Sequence, residues 1–197
     1  MKLGVLGGSF DPIHLGHLIL AETAREQLGL DRVAFVPTGY SWRKAEREMT
    51  PATQRCEMVK LAIVDAPEFE LSTLEVDHEG PSYTAVTLEA LADENPGAEL
   101  FFILGRDALV DLPNWHAPER LVELATLAVA TRAGESGAAS SEAALGDLRA
   151  RIAWLDMPLI EISATDIRQR VRDGRSIRYR VPAAVEAHIV GRGLYSA

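Results

Sequence analysis

Short apolar runs of strand character alternate with helix-patterned segments from the second residue to the end of the chain, and that alternation dictates a parallel sheet with helices on both faces. Lys2 to Leu6 opens the series. After the turn Gly7-Gly8-Ser9, Leu15, Leu18 and Ile19 stand at i, i+3 and i+4; they begin an amphipathic helix that reaches Leu28, with Gly29 as its stop. Val33 to Val36 reads as the next buried strand, ended by Pro37 and Gly39. Thr50 caps and Pro51 opens a second helix, with Cys56, Val59 and Ile63 on one face. Phe69 to Val76 alternates as a strand, and Pro81 to Thr84 leads into a helix with Leu88 and Leu91 inward. Leu100 to Leu104 is the most apolar strand, followed by an interrupted helical region. The strands Leu127 to Ala130 and Ile152 to Leu155 precede a helix from Ser163, stopped at Gly174, and a last one from Pro182. The expected class is α/β, a doubly wound parallel sheet with a small C-terminal helical portion over about residues 163–197.

The chain has 197 residues, enough for one large domain. No fixed-period repeat divides it, so a single domain over 1–197 is expected. The Gly-, Ala- and Ser-rich stretch at 133–141 reads as a flexible surface insertion, and 40–49 as a mobile loop. The 20 Lys and Arg against 29 Asp and Glu give a formal charge of −9. Such a balance argues against a nucleic-acid coat, so an anionic ligand must be held by a local site. The longest charge-free stretches, Pro12 to Ala21 and Val33 to Trp42, run ten residues, half of the roughly 20 that span a bilayer. With no membrane span and no signal-like h-region after Met1, the expected compartment is the cytoplasm. Cys56 is the single cysteine, which excludes an internal disulfide and a cysteine-based zinc site. Its place on the apolar helix face makes it a core thiol.

The densest constellation is Gly7-Gly8-Ser9-Phe10-Asp11-Pro12-Ile13-His14-Leu15-Gly16-His17, between the first strand and the first helix. At that edge of a parallel sheet, free backbone N–H groups and the helix dipole favour phosphate, and glycine lets the backbone approach closely. His14 and His17, three apart, can present both imidazoles on one side to phosphoryl oxygens. Two other readings stay open: incidental helix residues, or a metal site completed by His78, His116 or Asp11. The loop is neither a Walker A sequence nor a clean dinucleotide fingerprint. Near the other end, Ile162-Ser163-Ala164-Thr165-Asp166-Ile167-Arg168 puts two hydroxyls and an arginine in the first turn of a helix. Ser163 also reads simply as an N-cap. Asp166 to Arg180 holds six arginines against two aspartates, a local +4 that reads either as a solvated face or as a grip for polyphosphate.

The glycine-histidine run resembles the T/HxGH signature of nucleotidyltransferases, with Ser9 in place of the usual threonine, and Ile162-Ser163-Ala164-Thr165 with Arg168 resembles their second, ISxTxxR, signature. Pro81-Ser82-Tyr83-Thr84-Ala85-Val86-Thr87-Leu88, Gly105-Arg106-Asp107 and Trp115 resemble, in order, segments of nicotinate mononucleotide adenylyltransferases. The likeness runs from Lys2 to Gly193-Leu194-Tyr195. It implies a Rossmann-like fold and transfer of AMP from ATP to nicotinate mononucleotide, on the way to NAD. His14, His17 and Arg168 would be catalytic. Gly7, Gly8, Ser9, Phe10, Gly16, Asp107, Ile162, Ser163 and Thr165 would join them in binding ATP. Lys44, Tyr83, Thr84, Trp115 and Arg132 would bind the mononucleotide, and Mg²⁺ would be held mainly by ATP. Read as residues alone, Trp115 is also a half-buried packing aromatic, and Tyr83-Thr84 a helix start. The competing functions are an adenylyltransferase acting on pantetheine phosphate or nicotinamide mononucleotide, and a nucleotide-sensing module that does not turn ATP over. The partners expected are the two small molecules, with neither nucleic acid nor membrane; a homo-oligomer is compatible with the sequence.

Overall fold

The computed structural model describes residues 1–39, 49–132 and 151–196. The expected insertion at 133–141, and the loop at 40–49 except for Met49, lie outside the described residues. Six strands form one sheet: β1 (Lys2–Gly8), β2 (Arg32–Pro37), β3 (Phe69–Leu71), β4 (Glu99–Gly105), β5 (Ala125–Arg132) and β6 (Ile152–Met157). Their order is β3-β2-β1-β4-β5-β6, and each neighbouring pair is parallel. The chain therefore winds outward from β1 in one direction, crosses back, and winds outward from β4 in the other. Parallel neighbours need long crossovers, which helices supply. These are α1 (Leu15–Leu28), α2 (Ala52–Ile63), α3 (Leu74–Asp77), α4 (Thr84–Glu94), α5 (Arg106–Asp111) and α6 (Pro118–Leu124); α7 (Ala164–Arg172) and α8 (Ala183–Gly191) follow the last strand. The fold is a Rossmann-like parallel sheet flanked by helices, with C-terminal helices.

Strand alternation splits the apolar residues between two cores. Leu3 and Val5 of β1 and Leu100, Phe102 and Leu104 of β4 share one face with Leu88, Leu109 and Leu121 of α4, α5 and α6. The intervening Leu6, Phe101 and Ile103, with Val33 and Phe35 of β2, share the opposite face with Met58 and Val59 of α2, Ile167 of α7 and Ile189 of α8. Ile167 is fully buried, and burial of such a side chain stabilises docking of the short α7 by about 1.5–3 kcal/mol. That docking brings the C-terminal helix to the β1–α1 edge.

Two local expectations are corrected. The run Phe69 to Val76 is not one strand: β3 ends at Leu71, and Leu74–Asp77 is a helical turn. The last ladder bond runs from Ser72 N–H to Phe35 O, after which the Thr73 carbonyl accepts from Val76 and Asp77 and closes the turn. At the start of α2 the N-cap is Pro51, and among the described residues that end carries no side-chain capping bond. The Thr50 carbonyl instead accepts from Arg55 Nε at 2.9 Å.

Candidate active site

The loop after β1 turns its bulky side chains inward. Phe10, Asp11, Ile13 and His14 are all buried, and Phe10 occupies the left-handed region at φ +45°, a strained backbone for a residue with a side chain. Its ring meets His17 edge-on at 5.1 Å. His14 is the N-cap of α1, and the two imidazoles stack with centroids 3.6 Å apart. His17 Nδ1 accepts the His14 backbone N–H at 3.2 Å. The neutral His17 ring therefore carries its proton on Nε2, as a donor. His14 Nδ1 is buried without a hydrogen-bond partner among the described residues, and burial holds this ring's pKa at about 4, neutral at pH 7. The first helical amides are less free than the sequence suggests. Leu15 N–H donates to Arg180 O and His17 N–H to His14 O, both at 2.9 Å.

The C-terminal signature lies against this loop. Arg168, itself buried, donates from one Nη to the Asp11 carbonyl and from the other to Thr165 Oγ1 at 3.1 Å. Segments separated by 157 positions thus meet directly. Ser163 is the N-cap of α7, its hydroxyl accepting from Asp166 N–H at 3.1 Å. Ile162 packs against the core. The six-arginine run is mostly surface ion pairing: Arg170 and Arg180 both approach Asp166, and Arg175 pairs with Asp173. Arg168 alone of the six is buried.

Beside the histidines, a cleft of about 420 Å³ opens at the carboxyl ends of β4, β5 and β6, lined by Gly105, Arg106, Asp107, Thr131 and Ile160 among others. A Cβ on Gly16 would lie 3.1 Å from His14 Nδ1 and 3.7 Å from Ile160, so this glycine keeps the space between the cleft and the histidine pair open. Ligands of open α/β sheets bind at this edge, where the winding direction reverses.

The expected acceptor residues gather on the other flank. Thr38 N–H donates to Gly8 O at 2.9 Å, and Gly39 N–H to Ser82 Oγ at 3.2 Å, so the end of β2 bridges the end of β1 and the start of α4. Tyr83 is the N-cap of α4 and stacks on His116 at 4.3 Å. Trp115 donates its indole N–H to Asp111 at 3.1 Å and meets Phe102 edge-on at 6.0 Å, and Phe102 in turn lies beside Gly7. Trp115 therefore has a packing role whatever else it touches. His116, read from sequence only as one metal-ligand option, is the partner that joins the Tyr83 and Trp115 segments. Arg132 is the last residue of β5, paired in register with Met157. Lys44 lies outside the described residues.

Sequence reasoning missed a buried polar group beneath the loop. Arg55, 1% exposed, donates to Ser9 O at 2.8 Å as well as to Thr50 O. Tyr195 donates to Asp11 Oδ1 at 2.7 Å. The signal for Arg55 was present: it stands on the same stripe as Val59 and Ile63, where a charge has no business unless it is partnered. Glu75 is a second missed group. It accepts from Thr87 Oγ1 at 2.8 Å, and burial raises its carboxyl pKa against the pull of that bond, the Ser82 hydroxyl and the Arg55 charge. Cys56 is buried, as expected of a core thiol.

Known proteins share both the sequence and the architecture. Residues 5–170 match the cytidylyltransferase-like family model. A protein of Thermomicrobium roseum described as a probable nicotinate-nucleotide adenylyltransferase is 47% identical over 98% of this chain and 91% of its own. One of Roseiflexus with the same description is also 47% identical, over 98% and 97%. The solved Plasmodium falciparum nicotinic acid mononucleotide adenylyltransferase complexed with NaAD superposes at a TM-score of 0.80, with 20% identity, covering 98% of this chain and 97% of that one, a likeness of fold. Joined signature segments at the reversal of the sheet and near-full-length matches of this identity lead to one assignment: the chain belongs to the nicotinate-nucleotide adenylyltransferase family, within the cytidylyltransferase-like proteins.

Proposed function

We propose that the chain transfers AMP from ATP to nicotinate mononucleotide, giving nicotinate adenine dinucleotide and pyrophosphate in NAD biosynthesis in the cytoplasm. The observation that carries this reading is the direct bond from Arg168 to the loop carbonyl of Asp11, because it puts Ser163, Thr165 and Arg168 within reach of a triphosphate whose α-phosphate lies at the loop and His17. In this reading the adenosine enters the cleft beside Gly105 and Asp107, with Gly7, Gly8, Ser9, Phe10, His14, Gly16 and Ile162 forming the wall on the ATP side. ATP arrives as its magnesium complex. In this reading the Mg²⁺ is carried on the phosphate oxygens of ATP.

The nucleophile is already an anion. A phosphate oxygen of the mononucleotide attacks the α-phosphorus in line, one P–O bond forms, and the bond to the leaving pyrophosphate breaks with its electron pair. No protein nucleophile is needed. The protein's work is to align two anions and stabilise charge on the α-phosphoryl oxygens. His17 Nε2–H supplies a donor for that charge, Arg168 holds the departing pyrophosphate with Ser163 and Thr165, and neutral His14 buttresses His17 by stacking. On the acceptor side, Trp115 stacks on the pyridine ring, while Lys44 and Arg132 balance the mononucleotide phosphate. Among the described residues the amino end of α4 has no side-chain cap, which supports receipt of a carboxylate by the amides near Tyr83 and Thr84 and so a preference for the acid over the amide.

The test is purified protein with MgATP and, in turn, nicotinate mononucleotide, nicotinamide mononucleotide and pantetheine phosphate, following pyrophosphate and the adenylylated product. Nicotinate mononucleotide is expected to give the highest kcat/KM. Faster turnover of either other acceptor, or no pyrophosphate with any, overturns the reading.

A further inference from the structure

The buried Arg55 is expensive. Removing a guanidinium from water costs several kcal/mol, and an apolar side chain of similar volume commonly packs there at lower free energy. Its pKa is lowered by that burial, against the attraction of Asp11 and Glu75. Both of its bonds go to backbone carbonyls: Ser9, in the loop after β1, and Thr50, just before α2. Tyr195 closes the same hub from the C-terminal tail through its bond to Asp11, and its hydroxyl also interacts with the Thr50 side chain. Three distant parts of the chain thus converge under Ser9-Phe10-Asp11.

The consequence is directional. The Ser9–Phe10 peptide is trans, the one cis bond in the described chain being Asp11–Pro12. In a planar trans peptide the C=O and the following N–H point oppositely. With the Ser9 carbonyl drawn inward onto Arg55, the Phe10 N–H points away from the buried guanidinium. Phe10 also holds φ at +45°, a conformation that persists only where its surroundings enforce it. Arg168 draws the Asp11 carbonyl in the same way.

We propose that Arg55, with Tyr195 holding the adjoining Asp11, is a positioning residue that fixes the Ser9–Phe10 peptide so that its N–H meets the α-phosphoryl group of the bound nucleotide. This rests on the adenylyl-transfer reading. Arg55 touches no substrate; it acts through the peptide.

The experiment compares wild type, Arg55→Lys, Arg55→Met and Tyr195→Phe, using MgATP and the separate Sp and Rp diastereomers of ATPαS with nicotinate mononucleotide. Misplacing the peptide by about 1 Å lowers kcat about 100-fold in Arg55→Lys and Arg55→Met, with the KM for the mononucleotide little changed. Loss of one hydroxyl hydrogen bond in Tyr195→Phe lowers kcat about fivefold. The discriminating readout is the kcat ratio between the two diastereomers. It is independent of the fraction of folded enzyme, and it shrinks toward unity when the α-phosphoryl oxygens lose a fixed donor. A wild-type ratio in the Arg55 variants overturns the proposal even where kcat falls, since that pattern is loss of folded protein alone. If the Arg55 variants fail to fold, Tyr195→Phe decides by the same ratio. Wild-type protein without adenylyl transfer would instead remove the functional reading on which the proposal rests.

Discussion

Acid should loosen this protein through a single imidazole. Burial holds His14 at a pKa of about 4, against 6.5 for the free side chain, so charging the ring in the folded protein costs about 3 kcal/mol. Between those two pH values the unfolded chain binds a proton on this residue and the folded chain does not. Stability from this group is therefore constant above about pH 6.5, falls as pH drops through the window, and is fully lost below about pH 4. The slope within the window approaches about 1.4 kcal/mol per pH unit. At about 2–4 °C per kcal/mol for a chain of this length, Tm falls by about 6–12 °C from this residue alone. The assay is urea unfolding of wild type and His14→Gln at intervals from pH 7.5 to 4. Other titrating groups are common to both proteins, so the difference between the two curves isolates His14, on which His17 stacks at 3.6 Å. Parallel curves would refute the reasoning, because they would mean that the His14 ring is solvated or paired in the folded state.

Two further perturbations test the site from either flank. A Cβ at Gly39 would lie 1.9 Å from the Glu75 carbonyl oxygen, a backbone atom that cannot step aside; Gly39→Ala should cost about 3 kcal/mol. Scanning calorimetry should find its Tm lower by about 6–12 °C, and an unchanged Tm would mean that α3 shifts freely. Replacing His17 by Ala removes the Nε2–H donor and should lower kcat about 100- to 1,000-fold, with the KM for ATP changed far less, as measured by pyrophosphate release. An equal loss in both, or a loss in KM alone, would mean that His17 holds ground-state ATP and not the developing charge.

What could be read from sequence was local in the chain. The strand-loop-helix unit around His14 and His17 is contiguous, so spacing alone put both rings on one side, and β1, β2 and β4, buried on both faces, stand out as short continuous apolar runs. The pairing of the two signatures was harder. Arg168 meets Asp11 across 157 positions, and no periodicity encodes such a contact; the family resemblance supplied it. The arginine run misled because a charge count is blind to neighbours that cancel it, as Asp166 does for Arg170 and Arg180. The Phe69 to Val76 alternation misled because a two-residue period continues by chance through Leu74 and Val76, while the Thr73 carbonyl diverts the backbone into a turn. Arg55 and Tyr195 were missed for a different reason. The apolar stripe of α2 marked Arg55 as buried, but its partners are backbone carbonyls and that of Tyr195 a distant carboxylate, which leave no pattern in side-chain chemistry along the chain.

The claim beneath the account is that one triphosphate is grasped from both ends of the chain, and a crystal structure with α,β-methylene-ATP and Mg²⁺ tests it most directly. The account predicts the α-phosphoryl oxygens within hydrogen-bond reach of His17 Nε2 and the Phe10 N–H, and the β- and γ-phosphates beside Ser163, Thr165 and Arg168. A triphosphate bound elsewhere, or one touching the glycine-histidine loop while its tail points away from α7, would contradict it.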